Sequence, residues 1–135
     1  MDLQKAMMAS AAGLRAQSVR MRVISENIAN QNSLATEPGA DPYRRKIVTF
    51  QSELDRASGV ELVEASGVVF DEKEFGKKYD PGNPAADASG YIKTSNVNGL
   101  IELMDMKQAQ RTYQSNLSAL ETSRRMATMT LELLR

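Results

Sequence analysis

The chain has 135 residues, and its 17 Lys and Arg are balanced by 17 Asp and Glu, so its formal net charge at pH 7 is zero. This balance argues against a nucleic-acid partner and against a polybasic membrane-surface protein, because both use excess positive charge to meet phosphate. The chain has no Cys and no His, which removes thiol and imidazole nucleophiles and the usual ligands of zinc, copper and iron. Carboxylate chemistry and a Ser-Lys pair remain open.

The first residues do not have the character of a secretory signal. The chain begins Met1-Asp2-Leu3-Gln4-Lys5-Ala6, with an early acidic residue and no apolar core segment, so we expect no cleaved signal peptide. No stretch approaches the roughly 20 apolar residues of a membrane span. If the protein leaves the cytoplasm, we expect it to use a route that does not need such a signal.

Residues 3–28 carry apolar side chains at steps that alternate between four and three. This is the a/d spacing that keeps one seam of a helix facing a partner helix. Ser10 and Gln17 interrupt the seam, so it is weaker than a leucine zipper. We predict a helix of about 28 residues, roughly 40 Å long, ended by a polar cluster at 27–33. The apolar seam residues, which we predict to form an assembly interface, are Leu3, Met7, Leu14, Met21, Ile24 and Ile28.

The middle of the chain differs sharply in composition from its ends. All four Pro and six of the eight Gly lie between residues 38 and 91, and both residue types break helices and shape turns. Short strands are predicted at 43–50, 60–70 and 91–94, and a turn at 80–84. Residues 31–42 are expected to form a mobile loop. We therefore predict a small β element in the centre.

The charged clusters of the middle segment do not suggest catalysis. Neighbouring carboxylates at 71–74 would alternate between the faces of a strand, so we interpret them as a solvated charge run. Residues 80–87 lack the ligand spacing of a calcium loop. The basic run 44–46 is interpreted as a solvated strand edge or an interface patch. No nucleotide-binding or hydrolase motif is present. We predict no catalytic residue, no cofactor, no metal ion and no small-molecule substrate.

The C-terminal segment repeats the heptad spacing over more than four heptads. Asn96 or Asn98 is suited to cap the start of this helix, and Glu102 and Asp105 are suited to its positive end. Gln110 and Arg124 are polar members of the seam, and Ala127 and Leu134 continue it. The seam residues predicted to form an assembly interface are Leu103, Met106, Tyr113, Leu117, Leu120 and Leu131.

Two helices of this length present long apolar stripes that reach almost to the ends of the chain. One interpretation is a plain two-helix core with a loop domain. However, about 65 intervening residues would leave much of each stripe in water, and exposed apolar stripes of this size indicate partner subunits. The predicted fold is mainly α with a small β-rich central domain. We divide the chain into a discontinuous terminal domain, residues 1–30 and 96–135, and a central domain, residues 31–95.

Several short segments carry recognisable motifs. Residues 25–30 (SENIAN) fit the motif S-x-N-[IL]-A-N, and residues 43–45 (YRR) fit the element Y-[KR]-R. Residues 95–98 (SNVN), 102–106 (ELMDM) and 109–116 (AQRTYQSN) are similar to S-N-V-[ND], E-[LM]-x-x-M and A-x-R-x-Y-x-x-N. In their order and spacing, these segments resemble the flagellar axial proteins of the rod and hook. The residues that carry the match are Ser25, Asn27, Ile28, Ala29, Asn30, Tyr43, Asn96, Val97, Asn98, Arg111 and Asn116.

Residues 79–92 narrow the resemblance to the proximal rod subunits of this family. They run YDPGNPAAD followed by GYI, similar to Y-[DE]-P-x-[HN]-P-x-A-[DN] and G-Y-[IV]. The resemblance covers nearly the whole chain. One departure is the loop at 31–42, which contains Pro38 and Pro42 and replaces the tight Thr-Gly turn of the family.

The resemblance implies a structural subunit of the bacterial flagellar basal-body rod, and no enzyme. It implies terminal helices that pair as an antiparallel coiled coil and pack into a tube around the export channel, with the middle segment facing outward. It implies export through the flagellar type III apparatus, contacts with itself, with other rod subunits and with the basal-body ring, and transmission of torque across the periplasm. The competing hypothesis is a cytoplasmic coiled-coil adaptor or export chaperone.

Overall fold

The computed structural model describes residues 2–133, so the predicted seam position Leu134 lies outside the described residues. Within that range, no helix is both long and apolar enough to cross a membrane. The elements in chain order are α1 (Leu3–Ala29), β1 (Lys46–Asp55), β2 (Val60–Phe70), β3 (Gly76–Tyr79), β4 (Tyr91–Thr94) and α2 (Gly99–Leu133). The predicted arrangement of two terminal helices around a small β region is confirmed. Coiled-coil pairing of the helices stays a prediction.

Polar side chains define both ends of α1. The Asp2 carboxylate accepts a hydrogen bond from the Gln4 N–H at 3.0 Å, which satisfies an otherwise unpaired amide of the first turn. At the other end, Asn30 donates from its side chain to the Glu26 carbonyl at 2.8 Å, and Ser33 donates to the Asn30 side chain at 3.2 Å. The helix therefore ends inside the polar cluster that the sequence predicted.

Helix α2 begins at a side-chain cap. The Asn98 side-chain oxygen accepts hydrogen bonds from the N–H groups of Leu100 at 3.0 Å and Ile101 at 3.4 Å. Of the two cap candidates, Asn98 is thus the capping residue, and Asn96 has a different role, described below. The helix then continues for 35 residues.

The four strands form two separate two-stranded sheets, β1 with β2 and β3 with β4. Strands β2 and β4 match the predicted ranges, β1 lies a few residues later than predicted, and β3 was not predicted. In the turn between β1 and β2, Asp55 accepts hydrogen bonds from Ala57 N–H and Ser58 Oγ, and Gly59 takes a positive φ of 66°. In the antiparallel β3–β4 pair, Gly76 lies opposite Thr94 and Tyr79 opposite Tyr91.

The chain divides into two compact units. Of the described residues, the first contains 2–21, 48–67 and 107–133, and the second contains 22–47 and 68–106. Each unit therefore draws on α1, on the middle of the chain and on α2. The predicted division into residues 1–30 with 96–135 and residues 31–95 stays a prediction.

In the first unit, α1 and α2 approach closely at Gly13. A Cβ added at Gly13 would stand 2.6 Å from Asn116 Nδ2, so any side chain at this contact would require the Asn116 side chain to move. Met21, two turns further along α1, lies beside Gln110 and Tyr113, which precede Asn116. Residue numbers in α1 increase while those of the facing residues in α2 decrease, so the two helix segments run antiparallel in this unit.

The residues of α2 that face the inside of the unit are not the residues with the largest apolar side chains. Ala109 is fully buried, and Tyr113, Asn116, Leu120, Ser123 and Ala127 are partly buried. Gln110, Leu117 and Arg124, each one residue later than an inward position, are exposed. Small side chains thus occupy alternate inward positions, which permits the close approach at Gly13, and several leucines are left facing outward.

Candidate functional site: a buried polar junction

The second unit contains a cluster of polar side chains that we call the polar junction. It brings together the end of α1, the segment before and at the start of β1, the segment after β2 and the start of α2. Two of its members, Asn27 and Glu102, are the buried polar residues of the described chain. The members of the polar junction are Asn27, Tyr43, Arg45, Lys46, Asp71, Asn96, Glu102 and Asp105.

Asn27 lies at the centre of the polar junction and is 1% exposed. Its Nδ2 donates to the Lys46 carbonyl at 2.8 Å and to Glu102 Oε2 at 3.1 Å. Its Oδ1 accepts from the Tyr43 hydroxyl at 2.9 Å and from the Lys46 N–H at 3.0 Å. An amide side chain has two donor hydrogens and two acceptor lone pairs, so this arrangement satisfies all of them. Both a donor and an acceptor are required here, which explains why Asp or Leu would not serve.

Glu102 is fully buried in the first turn of α2 and is neutralised by Arg45. The Arg45 Nε lies 2.5 Å from Glu102 Oε1, while its two terminal nitrogens lie 3.4 Å from Asp71 and 3.4 Å from Asp105. Burial by itself would lower the pKa of Arg45, but the hydrogen bonds and charges of Glu102 and Asp71 raise it above its ordinary value. A buried carboxylate is tolerated only when paired in this way, and removal of its partner costs about 3–5 kcal/mol.

Asn96 joins the segment before α2 to the segment after β2. Its side-chain oxygen accepts from the Arg45 N–H at 2.7 Å, and its Nδ2 donates to the carbonyls of Asp71 at 3.3 Å and Lys73 at 3.0 Å. Arg44 donates to the same two carbonyls at 2.8 and 3.2 Å, and its guanidinium lies 4.2 Å from the centre of the Phe75 ring. Backbone groups without strand partners are thereby satisfied by side chains.

Two further groups at the edge of the polar junction have shifted pKa values. Burial raises the pKa of the Tyr43 hydroxyl, which the charge of Lys46 partly offsets. The backbone N–H of Lys73, followed by Arg45, lowers the pKa of Asp71. Lys46 forms an ion pair with Glu26 at 3.0 Å, and this hydrogen bond raises the pKa of Lys46.

The structure brings several of the predicted family-motif residues into one place. Asn27, Tyr43 and Asn96 are direct members of the polar junction, Asn98 caps α2 and Asn30 ends α1. The neighbouring motif residues Ser25 and Ala29 are exposed, and Ile28 and Val97 are partly buried. Two motif residues belong to the first unit instead: Asn116 faces Gly13, and Arg111 lines a groove with Met21.

The pairing of the charged members of the polar junction was not predicted from the sequence. The interpretation of residues 44–46 as a solvated edge or interface patch was wrong, because Arg45 is paired with three carboxylates and Arg44 with two carbonyls. The interpretation of 71–74 as a solvated run holds for the exposed residues 72–74 but not for Asp71. A signal was available, since Arg45 and Glu102 both stand inside family motifs.

The predicted seam residues divide between buried and exposed positions. In α1, Ile24 is buried and the other five are partly buried. In α2, Met106, Tyr113 and Leu120 are partly buried, while Leu103 is 53%, Leu117 37% and Leu131 67% exposed. The inward residues stabilise this chain, and the outward residues are available to other molecules.

The polar junction has the properties of a structural joint. Its carboxylates are directed at Arg45, and the amide of Asn27 is saturated by backbone and side-chain partners. Among residues 2–133, no three His, Cys, Asp or Glu side chains are grouped to hold a metal ion. Fully satisfied buried networks specify a single geometry for the elements that they connect.

Comparison with known proteins gives consistent matches. Residues 88–133 match the family model described as the C-terminal part of the flagellar basal body rod FlgEFG proteins. The chain is 52% identical over 124 residues to the flagellar basal-body rod protein FlgC of Agrobacterium fabrum, covering 92% of this chain and 89% of the relative. It is 38% identical to FlgC of Salmonella typhimurium, with 90% of each chain covered, and 34% identical to FlgC of Bacillus subtilis, with 92% and 93% covered.

Proposed function

The chain belongs to the family of FlgC flagellar basal-body rod proteins, and we propose that it assembles into the rod through the outward faces of its two terminal helices. Its function is that of a structural subunit of the basal-body rod, in a family without enzymatic activity. The relatives give no support to the alternative of a cytoplasmic adaptor or export chaperone.

The observation that supports assembly through the helices is the apolar surface of α2. Leu103 is 53% exposed and Leu131 is 67% exposed, and Leu117 lies midway between them at 37%. These three residues are 14 positions apart along one helix. An α-helix rotates only about 20° relative to each seven-residue repeat, so the three side chains lie on one side of the helix. Monomeric proteins rarely leave such an apolar line in water, and lateral contacts with neighbouring subunits would cover it.

The polar junction supplies the rigidity that a rod subunit needs. It ties the end of α1 to the start of α2 by Asn27 and Glu102, and both to the middle segment by Arg45 and Asn96. Torque applied to one helix is then transmitted to the other by hydrogen bonds and ion pairs of fixed geometry. We include in this proposal an antiparallel coiled coil of the two helices and neighbours drawn from other rod subunits.

Two finer parts of the proposal concern delivery and anchoring. We propose that the chain is delivered by the flagellar type III export apparatus and that the finished rod contacts the basal-body ring. The names of the relatives place them in the basal-body rod and support contacts with other components of that structure.

Purification of basal bodies tests the proposed function directly. A strain that lacks this gene would be complemented with an epitope-tagged chain, and basal bodies would be extracted with detergent and sedimented. We expect the tagged chain in the basal-body fraction and restored swimming. A tagged chain that restores swimming but stays in a soluble stoichiometric complex would contradict the rod assignment and favour the adaptor.

A further inference from the structure

The first unit contains a groove between α1 and α2 that carries positive charge. Its volume is about 660 Å³, within the ~300–1,000 Å³ of pockets that enclose ligands. Lys107 and Arg111, one turn apart on α2, line this groove, and none of its described lining residues is acidic. Neither cation has a carboxylate of the described chain within ion-pair distance. Met21, Tyr113 and Leu117 supply apolar surface. We call this the basic groove.

A short segment of the second unit, residues 70–74, carries the opposite charge. It continues from β2 without a turn or bend, and its carbonyls at positions 71 and 73 accept hydrogen bonds from Arg44 and Asn96. The polar junction therefore holds the backbone of this segment in one conformation. We call residues 70–74 the acidic edge.

The outward side of the acidic edge presents two carboxylates and one aromatic ring. Asp71 is directed into the polar junction, and Lys73 lies on the same side because side chains alternate along an extended segment. Phe70, Glu72 and Glu74 therefore lie on the opposite side, and all three are exposed. Within residues 2–133, neither of these two glutamates has a cation within ion-pair distance.

The charges of the two surfaces match in their spacing. Lys107 and Arg111 are four residues apart on a helix, which separates them by about 6 Å along its axis. Glu72 and Glu74 are two residues apart on an extended segment, a separation of about 6–7 Å. Opposite charges at equal spacing make two surfaces complementary in one register.

We propose that the acidic edge of one copy of this chain lies along the basic groove of a second copy. In this register Glu74 pairs with Lys107, and Glu72 pairs with Arg111. The contact rests on the proposed rod function and adds specific surfaces to it.

The same register covers apolar surface. Phe70 comes next to Leu117, because both lie roughly 7–9 Å beyond the second ion pair. Phe70 is 63% and Leu117 37% exposed in the single chain, so the contact removes apolar surface of both from water. Leu117 also belongs to the outward line of α2, so the basic groove is continuous with the surface proposed for assembly.

The acidic edge comes from another copy because its own chain holds it elsewhere. The residues that line the basic groove come from α1 and α2, whereas the polar junction fixes the acidic edge by its carbonyls. Each copy thus offers one groove and one edge. Such a heterologous contact repeats from copy to copy and generates an open helical array instead of a closed oligomer.

Disulfide trapping tests the contact, because the natural chain has no Cys. Cells would carry Glu74→Cys with Lys107→Cys in the same chain, and intact basal bodies would be oxidised mildly before gel analysis. The matched control is Glu74→Cys with Ser118→Cys, since Ser118 is exposed about 16 Å further along α2 and does not line the groove. We expect a ladder of multimers about tenfold stronger than in the control, because neighbours hold the two sulfurs at high effective concentration.

Charge exchange is a second measurement that needs no Cys. An exposed ion pair contributes little by itself, so neutralising Glu72 alone should leave swimming normal. Lys107→Glu with Arg111→Glu should abolish swimming, because like charges then face each other in every contact. Adding Glu72→Lys and Glu74→Lys to the same chain should restore it.

The control for the charge exchange separates position from net charge. Glu37→Lys with Glu61→Lys, added to the same reversed pair, restores the net charge at exposed positions outside the proposed contact. This chain should stay non-motile. Rescue by both lysine pairs alike, or by neither while the protein is secreted, overturns the contact.

A failure of this contact is distinct from a failure of the rod assignment. If the natural chain is present in basal bodies and the Cys ladder is no stronger than its control, the contact is overturned and the rod subunit stands. A natural chain absent from basal bodies overturns the rod assignment itself.

Discussion

Asn27 uses the full hydrogen-bonding capacity of its amide inside the polar junction, and each of its four partners would lose a bond on its removal. Asn27→Ala leaves a buried carboxylate and two backbone groups short of partners, at about 1–3 kcal/mol for each unsatisfied group. We expect the free energy of unfolding to fall by about 3 kcal/mol, measured by urea denaturation. The control Asn32→Ala removes the same side chain from an exposed position and should change stability by less than about 0.5 kcal/mol.

Asp71 gives the polar junction a defined response to acid. Its pKa is lowered in the folded state by the Lys73 N–H and by Arg45, so its stabilising effect is present above its unfolded pKa and is lost as pH falls through the folded value. Asp71→Asn should therefore lower the thermal midpoint at pH 7, and its difference from the natural chain should shrink as pH falls below the ordinary Asp pKa of about 3.9 and through the lower folded pKa. Glu72→Gln, at an exposed neighbouring position, should not alter the profile. A difference that persists unchanged at acid pH would contradict this assignment.

At the scale of elements, apolar periodicity and helix-breaking Pro and Gly residues predicted the two helices, their polar ends and two of the four strands at their observed positions. Which face of α2 is buried was harder to predict, because apolar periodicity indicates the face that carries the largest apolar side chains. Here the inward line instead contains Ala109, Asn116 and Ser123, since close approach at Gly13 requires small groups. The burial of polar residues such as Glu102 was harder to predict for a related reason, although its place in a family motif was a signal. Their burial depends on partners that come from distant segments of the chain.

The close contact between α1 and α2 can be tested at Gly13. Gly13→Leu would drive a large side chain into Asn116, already 2.6 Å from the position of an added Cβ, and overpacking typically costs about 1–3 kcal/mol. We expect a lower thermal midpoint by circular dichroism. Ala9→Leu places the same side chain one turn earlier on an exposed position and should leave the midpoint almost unchanged. Equal midpoints for the two variants would show that the helices do not rely on this contact.

At the scale of the whole molecule, the apolar residues form two groups: buried residues that stabilise the chain, and exposed residues that are available for assembly. Ile24, Ile92 and Ala109 are buried and stabilise the individual chain. Leu103, Leu117 and Leu131 remain exposed and contribute little to its stability. Folding and assembly therefore depend on different residues of the same helices, so a substitution on the outward line should separate the two processes.

Leu117→Asp should abolish rod assembly while leaving the free chain folded. Leu117 is 37% exposed in the isolated chain, so a carboxylate there can reach water, and the free chain should stay folded with a loss of about 1 kcal/mol. In the assembled rod the same carboxylate would be buried without a partner, at several kcal/mol in each subunit. The measurements are swimming in soft agar and a secretion assay for the variant, with Glu72→Ala as an exposed control that should swim normally. A motile Leu117→Asp strain beside a secreting but non-motile Glu72→Ala strain would reverse the assignment of assembly to the α2 face.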